Sequence, residues 1–362
     1  MSMTQYSGIE LIRRLSLAFG PTGCEDAVRD LIISQIEGYC DGYCEDRVGN
    51  LIAKVSGRGH DHHPEAPRRM MLCAHMDEVG FMITGFTDEG YLRFGNLGGI
   101  DPAVLCGRPV TVAHGDKLWE GVIASKAIHL QTPDEKKKVT PVTKMYIDIG
   151  AKSREDAESH VSVGDCATFA SGFEVFGENG RQMKGKALDD RVGCAALIEI
   201  MRDLHQSSCD LPFDVYFAFT RCEEVGISGA NVAAHTVAPD FSIVMEATAV
   251  NDLPGVSFPT RVSELFKGGI ISLVDGGTIY DKGLVQFALH TAETRDIKCQ
   301  IKQYTSGAND ARVIQRSREG VRVLGMALPT RYIHSASCVA AYEDYEAYRD
   351  LVIAMLRHWS IG

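Results

Sequence analysis

The texture of the chain changes twice along its length, and this double change limits the available folds more than any other feature. In the first stretch, "EDAVRDLIISQIEGY" (25–39) places Val28, Leu31, Ile32 and Ile36 at helical spacing, and "NLIAKVSG" and "RRMMLCAH" read as strands. From about Phe81 to Glu178 the pattern becomes short alternating runs such as "YLRFGNL", "GRPVTVAHG", "KLWEGVIAS", "TKMYIDIG" and "VGDCATFA", punctuated by glycine. Only "KSREDAESH" has a helical texture there, so the stretch reads as a compact β-barrel-like module. Helices and strands then alternate again. "DRVGCAALIEIMRDLHQ" carries Val192, Ala196, Ile200 and Leu204 at multiples of four, "FDVYFAFT", "FSIVMEA" and "VRVLGMALP" read as strands, and "YEDYEAYRDLVIAMLRHW" closes with an apolar helical face.

Alternating β and α elements predict an α/β domain, a mixed sheet flanked by helices. Its sequence is discontinuous, residues 1–80 and 179–362, with residues 81–178 as an inserted β-barrel-like domain. An apolar content of 45% suffices for a large core. No apolar run approaches the roughly 18–20 residues that span a bilayer, and "MSMTQYSGIELIRR" lacks the layout of a signal peptide, which predicts a cytoplasmic protein without a membrane partner. A net charge of −11 and a single lysine run, "DEKKK", flanked by acids argue against nucleic acid. The eleven cysteines are odd in number and scattered, some within apolar segments, so reduced thiols are expected. Cys40 and Cys44 lack a second ligand pair, and His60, His62 and His63 read as a solvated turn.

In open α/β sheets, functional groups collect just past the carboxyl ends of strands. Five places fit: His75 and Asp77 after "MMLCA"; Asp189 and Asp190 before a helix; Glu223 and Glu224 after "FDVYFAF"; Glu246 in "FSIVMEA"; His334 after "VRVLGMALPTRYI". Singly, each has a plain reading as a core histidine or a helix cap. Together they form a surplus of carboxylates with two imidazoles, which calls for neutralising cations. Carboxylate with imidazole suits zinc, cobalt or manganese, and two such ions sharing a carboxylate suit hydrolysis. The adjacent glutamates then divide the work, one binding metal and the other acting as base toward the reacting water.

"AHMDEVGFMI", "GGIDPAVLCGRPV", "IDIGAKSREDAE", "KGKALDDRVGCAAL", "FTRCEEVGISGA" and "PTRYIHS", in this order and spacing, resemble the M42 family of metalloaminopeptidases over essentially the whole chain. The resemblance implies a di-zinc exopeptidase-like (phosphorylase/hydrolase-like) fold whose inserted β-rich domain drives dimerisation, with dimers assembling into a tetrahedral dodecamer. It implies two divalent ions per subunit, zinc or cobalt with manganese as an alternative, and short peptides with a free N-terminus as substrates. Carried over by position, His75 and Glu246 would hold one ion, Glu224 and His334 the other, and Asp189 would bridge them. Glu223 would be the general base, and Asp77 the carboxylate that orients the His75 ring.

The chain departs from the family pattern in places. Glu246 stands where aspartate is usual, "TSGANDA" (305–311) has Asn309 in place of a threonine, "LFKGGIISLVDGG" (265–277) lacks a Gly-Pro, and the glutamate expected after "RYIHS" is absent. Arg261 and Lys267 read either as cations for an acidic N-terminal side chain or as structural charges. A deacylase or carboxypeptidase would need a dedicated arginine for a free carboxylate, with Arg331 as its candidate. A non-catalytic scaffold that kept the metals for stability would have no use for Glu223. No carboxylate pair is arranged for glycoside chemistry.

Overall fold

A computed structural model describes residues 4–57, 69–207, 211–257, 260–303, 305 and 307–361. His60, His62 and His63 lie outside the described residues. In chain order the helices are α1 (Gly8–Leu17), α2 (Asp26–Ile36), α3 (Arg154–Glu158), α4 (Leu188–Ser207), α5 (Ser228–Val237), α6 (Lys282–Thr294), α7 (Ala311–Ile314) and α8 (Tyr342–Arg357). The strands are β1 (Gly42–Glu45), β2 (Leu51–Val55), β3 (Arg69–His75), β4 (Gly80–Phe86), β5 (Leu92–Leu97), β6 (Pro109–His114), β7 (Lys117–Ile123), β8 (Ile147–Asp148), β9 (Cys166–Phe169), β10 (Glu174–Phe176), β11 (Gln182–Gly185), β12 (Asp214–Thr220), β13 (Phe241–Ala249), β14 (Gly269–Ile271), β15 (Cys299–Ile301), β16 (Arg322–Arg331) and β17 (Cys338–Ala341).

The large sheet runs β1-β2-β12-β3-β13-β16-β17-β11-β10, with β14 and β15 branching from β16. Its centre, β12-β3-β13-β16, is parallel, and its flanks are antiparallel, which makes it mixed as the alternation of elements predicts. β3 is buried from Met70 to His75 and β13 from Phe241 to Ala247, so both faces of the centre are covered, and these strands read as continuous apolar runs. α4 packs on β3 and β13 with α1, α2 and α8 against it, while α5 packs on β12 and β3. Val192, Ala196, Ile200 and Leu204 are all buried in this layer. Gly193 permits the close approach: a Cβ there would press on the Asp190 carboxylate and come within 2.6 Å of the Met245 carbonyl oxygen.

β4-β5-β8-β7-β6-β9 close into a barrel with its own core of Phe81, Phe94, Val110, Ile147 and Phe169. A hydrogen bond and a disulfide are among the links that tie it to the main body. Thr168 on β9 donates to the buried Glu78 at 2.8 Å, and the same carboxylate meets Lys186 and Arg191. Cys24 and Cys166 form a disulfide, contrary to the expectation of reduced thiols throughout, while the other described cysteines are free. The pairing joins residues 142 apart in sequence, a proximity created by the docking of the barrel and not by local spacing. Among the described residues no helix is long and apolar enough to cross a membrane.

Candidate functional site

The parallel register brings the carboxyl ends of the central strands to one edge. Thr220, the last residue of β12, lies opposite His75, the last of β3, so the loops carrying Asp77 and Glu223–Glu224 leave the sheet side by side. Glu246 lies in β13, Asp189 opens α4, and His334 follows β16 with φ 58. All five expected metal-ligating residues therefore converge on one cleft of about 870 Å³, which Glu223 also lines.

Asp189 is central to the cluster. Its Oδ1 lies 3.2 Å from His75 Nε2 and its Oδ2 lies 3.2 Å from His334 Nε2. Glu246 Oε2 stands 3.7 Å from His75 Nε2, and Glu224 Oε1 stands 3.3 Å from His334 Nε2. The result is two triads sharing one carboxylate, His75–Asp189–Glu246 and Asp189–Glu224–His334, each with its ligand atoms within 4.8 Å of one another. A third such grouping, His75–Glu223–Glu224, places Glu223 at the edge of the same cluster.

The tautomer of each histidine follows from its outer partner. His334 Nδ1 lies 2.8 Å from the Gly99 carbonyl, which only accepts, so Nδ1 carries a proton and Nε2 is the nitrogen turned toward the carboxylates, the one that would ligate an ion on losing its own proton. His75 Nδ1 faces the Asp77 carbonyl at 3.0 Å and its Oδ1 at 3.3 Å, with the same consequence. The Gly99 contact had no signal in the sequence, because it depends on the segment after β5 folding over the sheet edge.

Asp77 does more than orient an imidazole. Its Oδ1 accepts the backbone N–H of Glu223 at 3.0 Å, and its Oδ2 accepts that of Glu224 at 3.1 Å and the Thr22 hydroxyl at 2.7 Å. Asp77 is fully buried, which by itself raises its pKa, yet the contacts with His75, Thr22 and Glu223 hold it below the ordinary value. The glutamate loop is braced from behind as well: Glu25 receives Arg221 Nε at 2.6 Å and the Cys222 backbone N–H at 3.2 Å. Asp190, which the sequence offers beside Asp189, accepts from the backbone N–H groups of His75 and Gly193 and serves as scaffold.

Burial raises the carboxylates that face one another. It pushes Glu223 up to about 9 against the pull of His75, with Asp310, Glu224 and Asp189 adding to the rise, and Glu224 up to about 8, helped by Asp189. Glu246 is raised well above its ordinary value by burial and by Asp190. His334 rises to about 9 despite burial, through Asp189 and Glu224, and Asp189 falls despite burial, through His334 and His75. Glu246 Oε1 is buried without a hydrogen-bond partner, and the buried Glu224 Oε1 makes no hydrogen bond and has His334 Nε2 beside it at 3.3 Å. Orphaned acceptors in a cage of carboxylate and imidazole are what a divalent cation satisfies, so these residues fit metal ions.

Other expectations move. Arg261 pairs with Glu264 at 2.7 Å, and with Lys267 it borders a separate hollow of about 650 Å³ that none of the candidate ligands lines. The cations on the main cleft are Lys302, Arg312 and Arg316, which sequence reading missed because none lies in a recognisable motif. Arg331 is held by Asp252 in a bidentate pair at 2.7 and 2.8 Å, so it is not available to a substrate carboxylate. Glu246, Asn309 and Asp275 do border the cleft, which puts several of the sequence departures at its wall.

A family model described as M42 glutamyl aminopeptidase matches residues 49–351. The lysyl aminopeptidase of Pyrococcus furiosus is 30% identical over 355 residues, 96% of this chain and 96% of that protein. Among solved structures, a TET aminopeptidase from a marine sediment Thaumarchaeota archaeon superposes with a TM-score of 0.92 at 35% identity, covering 98% of this chain and 96% of the other. The Pyrococcus horikoshii TET1 peptidase, whose structure is described as assembling into a tetrahedron or a large octahedral shell, gives 0.85 at 35% identity, covering 97% and 99%.

Proposed function

The chain belongs to the M42 aminopeptidase family, and from that membership we propose that it removes N-terminal residues from short peptides with two divalent metal ions and a glutamate base. The observation that carries the proposal is the division of the Asp189 carboxylate between two histidines, each with its own glutamate. In this reading His75 and Glu246 hold one ion, Glu224 and His334 the other, and Asp189 both. Zinc or cobalt suits the mixed nitrogen and oxygen donors, with manganese as the third choice. Bound there, the ions supply Lewis acidity and lower the pKa of water.

The remaining chemistry belongs to the chain. Glu223 accepts a proton from the attacking water and returns it to the departing amine. Its burial favours proton uptake, and its position is set by the Asp77 carboxylate on its own N–H. The surplus carboxylates around the cleft attract the free ammonium of the peptide, which restricts cleavage to chain ends. Asp77 and Gly99 keep both imidazoles in the tautomer that presents Nε2.

Residues 81–178 are proposed to act as a dimerisation domain within a catalytic domain of residues 1–80 and 179–362, with dimers building a tetrahedral dodecamer. Exposed Leu118, Ile128, Leu130 and Val139 on this insert support an association surface, as do the shells described for the TET1 relative. The test is release of the first residue from free and N-acetylated peptides by protein loaded with cobalt, zinc or manganese, alongside Glu223→Gln. Cleavage of free amino termini alone, abolished by chelator and by the variant, is expected; cleavage of the acetylated set would replace the reading with a deacylase.

A further inference from the structure

The backbone N–H groups of Arg221, Cys222, Glu223 and Glu224 are each accepted by a side chain from elsewhere in the chain. Asp77 takes the last two, Asn50 Oδ1 takes that of Arg221 at 2.9 Å, and Glu25 Oε1 takes that of Cys222 at 3.2 Å. The carbonyls of Arg221, Cys222 and Glu223 are occupied too, accepting from Gly229, Ser228 and Ile227 at 3.1, 3.3 and 3.1 Å. Cys222 has φ 53, a left-handed conformation that a residue with a side chain keeps only where its surroundings impose it.

Glu25 is the buried acid of this set that the mechanism leaves unused. It immediately precedes α2 and is fully buried. Its carboxylate accepts Arg221 Nε at 2.6 Å, the Cys222 N–H and the Gly23 N–H at 2.9 Å. The Arg221 guanidinium is latched further to the carbonyls of Gly23 at 2.8 Å and Val48 at 3.1 Å. Many buried carboxylates do no more than satisfy the fold around them, but the two residues that Glu25 grips across the structure are the two that lead into Glu223. Among the described residues, no hydrogen bond or ion pair joins Glu25 to His75, Asp189, Glu224, Glu246 or His334.

We propose that Glu25 is a positioning residue for the Glu223 base. Paired with Arg221, it holds the left-handed turn at Cys222 and so sets the direction in which the Glu223 side chain enters the cleft. Asp77 braces the same loop but also faces His75, whereas Glu25 acts on the base without touching the metal ligands. The inference rests on the aminopeptidase reading with Glu223 as base, and adds a residue to it. A base misplaced by about 1 Å loses roughly 10²-fold in rate, so a brace two residues away has a large effect on turnover and little on metal binding.

Glu25→Gln keeps the volume but turns an amide donor toward Arg221 Nε or the Cys222 N–H. The readout is the rate constant for a single turnover of Leu-Ala-Ala by metal-loaded enzyme in excess, which does not depend on the folded fraction, with bound metal measured on the same sample. Wild type, Glu25→Gln, Glu223→Gln and the double variant form a cycle. Glu25→Gln should slow the wild-type reaction by about 10–100-fold with two ions retained, and should slow the Glu223→Gln reaction by about twofold or less, because its effect passes through the missing base. Arg221→Gln, at a partly exposed position, should give the same pattern with a smaller loss, and carries the test if Glu25→Gln does not fold. An unchanged rate, an equal loss with and without the Glu223 carboxylate, or a loss explained by missing metal overturns the inference alone. Absence of turnover by wild type removes the aminopeptidase reading, and full turnover by Glu223→Gln removes its base; the inference falls with either.

Discussion

Asp77 and Glu223 are joined through the backbone: the buried carboxylate accepts the Glu223 N–H at 3.0 Å, and its second oxygen takes the N–H of Glu224 at 3.1 Å. One side chain thereby sets the positions of both glutamates while its first oxygen also faces His75 at 3.3 Å.

Asp77→Asn keeps the shape but leaves one acceptor oxygen where two are used, so one glutamate N–H faces an amide donor. Metal affinity and kcat should each fall by about 10–100-fold, measured by chelator competition and steady-state kinetics. Thr22→Val removes only one hydrogen bond to the same carboxylate and should cost much less.

Glu223→Gln removes the proton acceptor but keeps the side-chain volume. We expect kcat to fall by about 10²–10⁴-fold with two ions still bound, measured by turnover beside elemental analysis of the same sample. Full activity in the variant would exclude Glu223 as the base.

Metal removal should lower the melting temperature, since ions that bind only the folded cluster stabilise it by about 2.7 kcal/mol at a hundredfold excess over Kd. The metal-free protein should also become more sensitive to pH. Glu223, Glu224 and His334 have folded pKa values raised to about 9, 8 and 9, above their unfolded values. The folded state therefore holds more protons, and the associated stability is present at low pH and lost as pH rises toward 8–9. Melting scans of chelated protein between about pH 5 and 9 should show a steeper decline with pH than scans of the loaded protein.

Arg191 is fully buried and donates to the carbonyls of Met76 at 2.7 Å and Gly20 at 3.1 Å, as well as to those of Leu15 and Ala18, with Glu78 beside it. Arg191→Leu would strand these acceptors and an ion pair next to Asp77. Loss of about 3–5 kcal/mol is expected, read from denaturant midpoints at constant m-value.

Much of the architecture is legible in the amino-acid sequence alone. β3, β12, β13 and β16 announce themselves as apolar runs, α4 and α8 carry their buried residues at helical spacing, and residues 81–178 differ in texture because short antiparallel strands need frequent turns. That His75, Glu224, Glu246 and His334 share one edge is also legible, because parallel strands bring the residues at their carboxyl ends together, whereas Asp189 joins them from the start of α4. Those features are local or periodic, and chain order preserves them.

What the sequence could not disclose depends on which distant segments meet. The Gly99 carbonyl that sets the His334 tautomer, the double acceptance by Asp77, and the pairing of Cys24 with Cys166 all arise where the barrel and the loops close over the sheet. The same closure put Lys302, Arg312 and Arg316 on the cleft and left Arg261 and Lys267 beside another hollow. Periodicity records the face a residue turns toward the core. A contact across a hundred residues is decided by packing, where burial of apolar surface outweighs loop-closure entropy that rises only slowly with length, and that balance leaves no mark on local spacing.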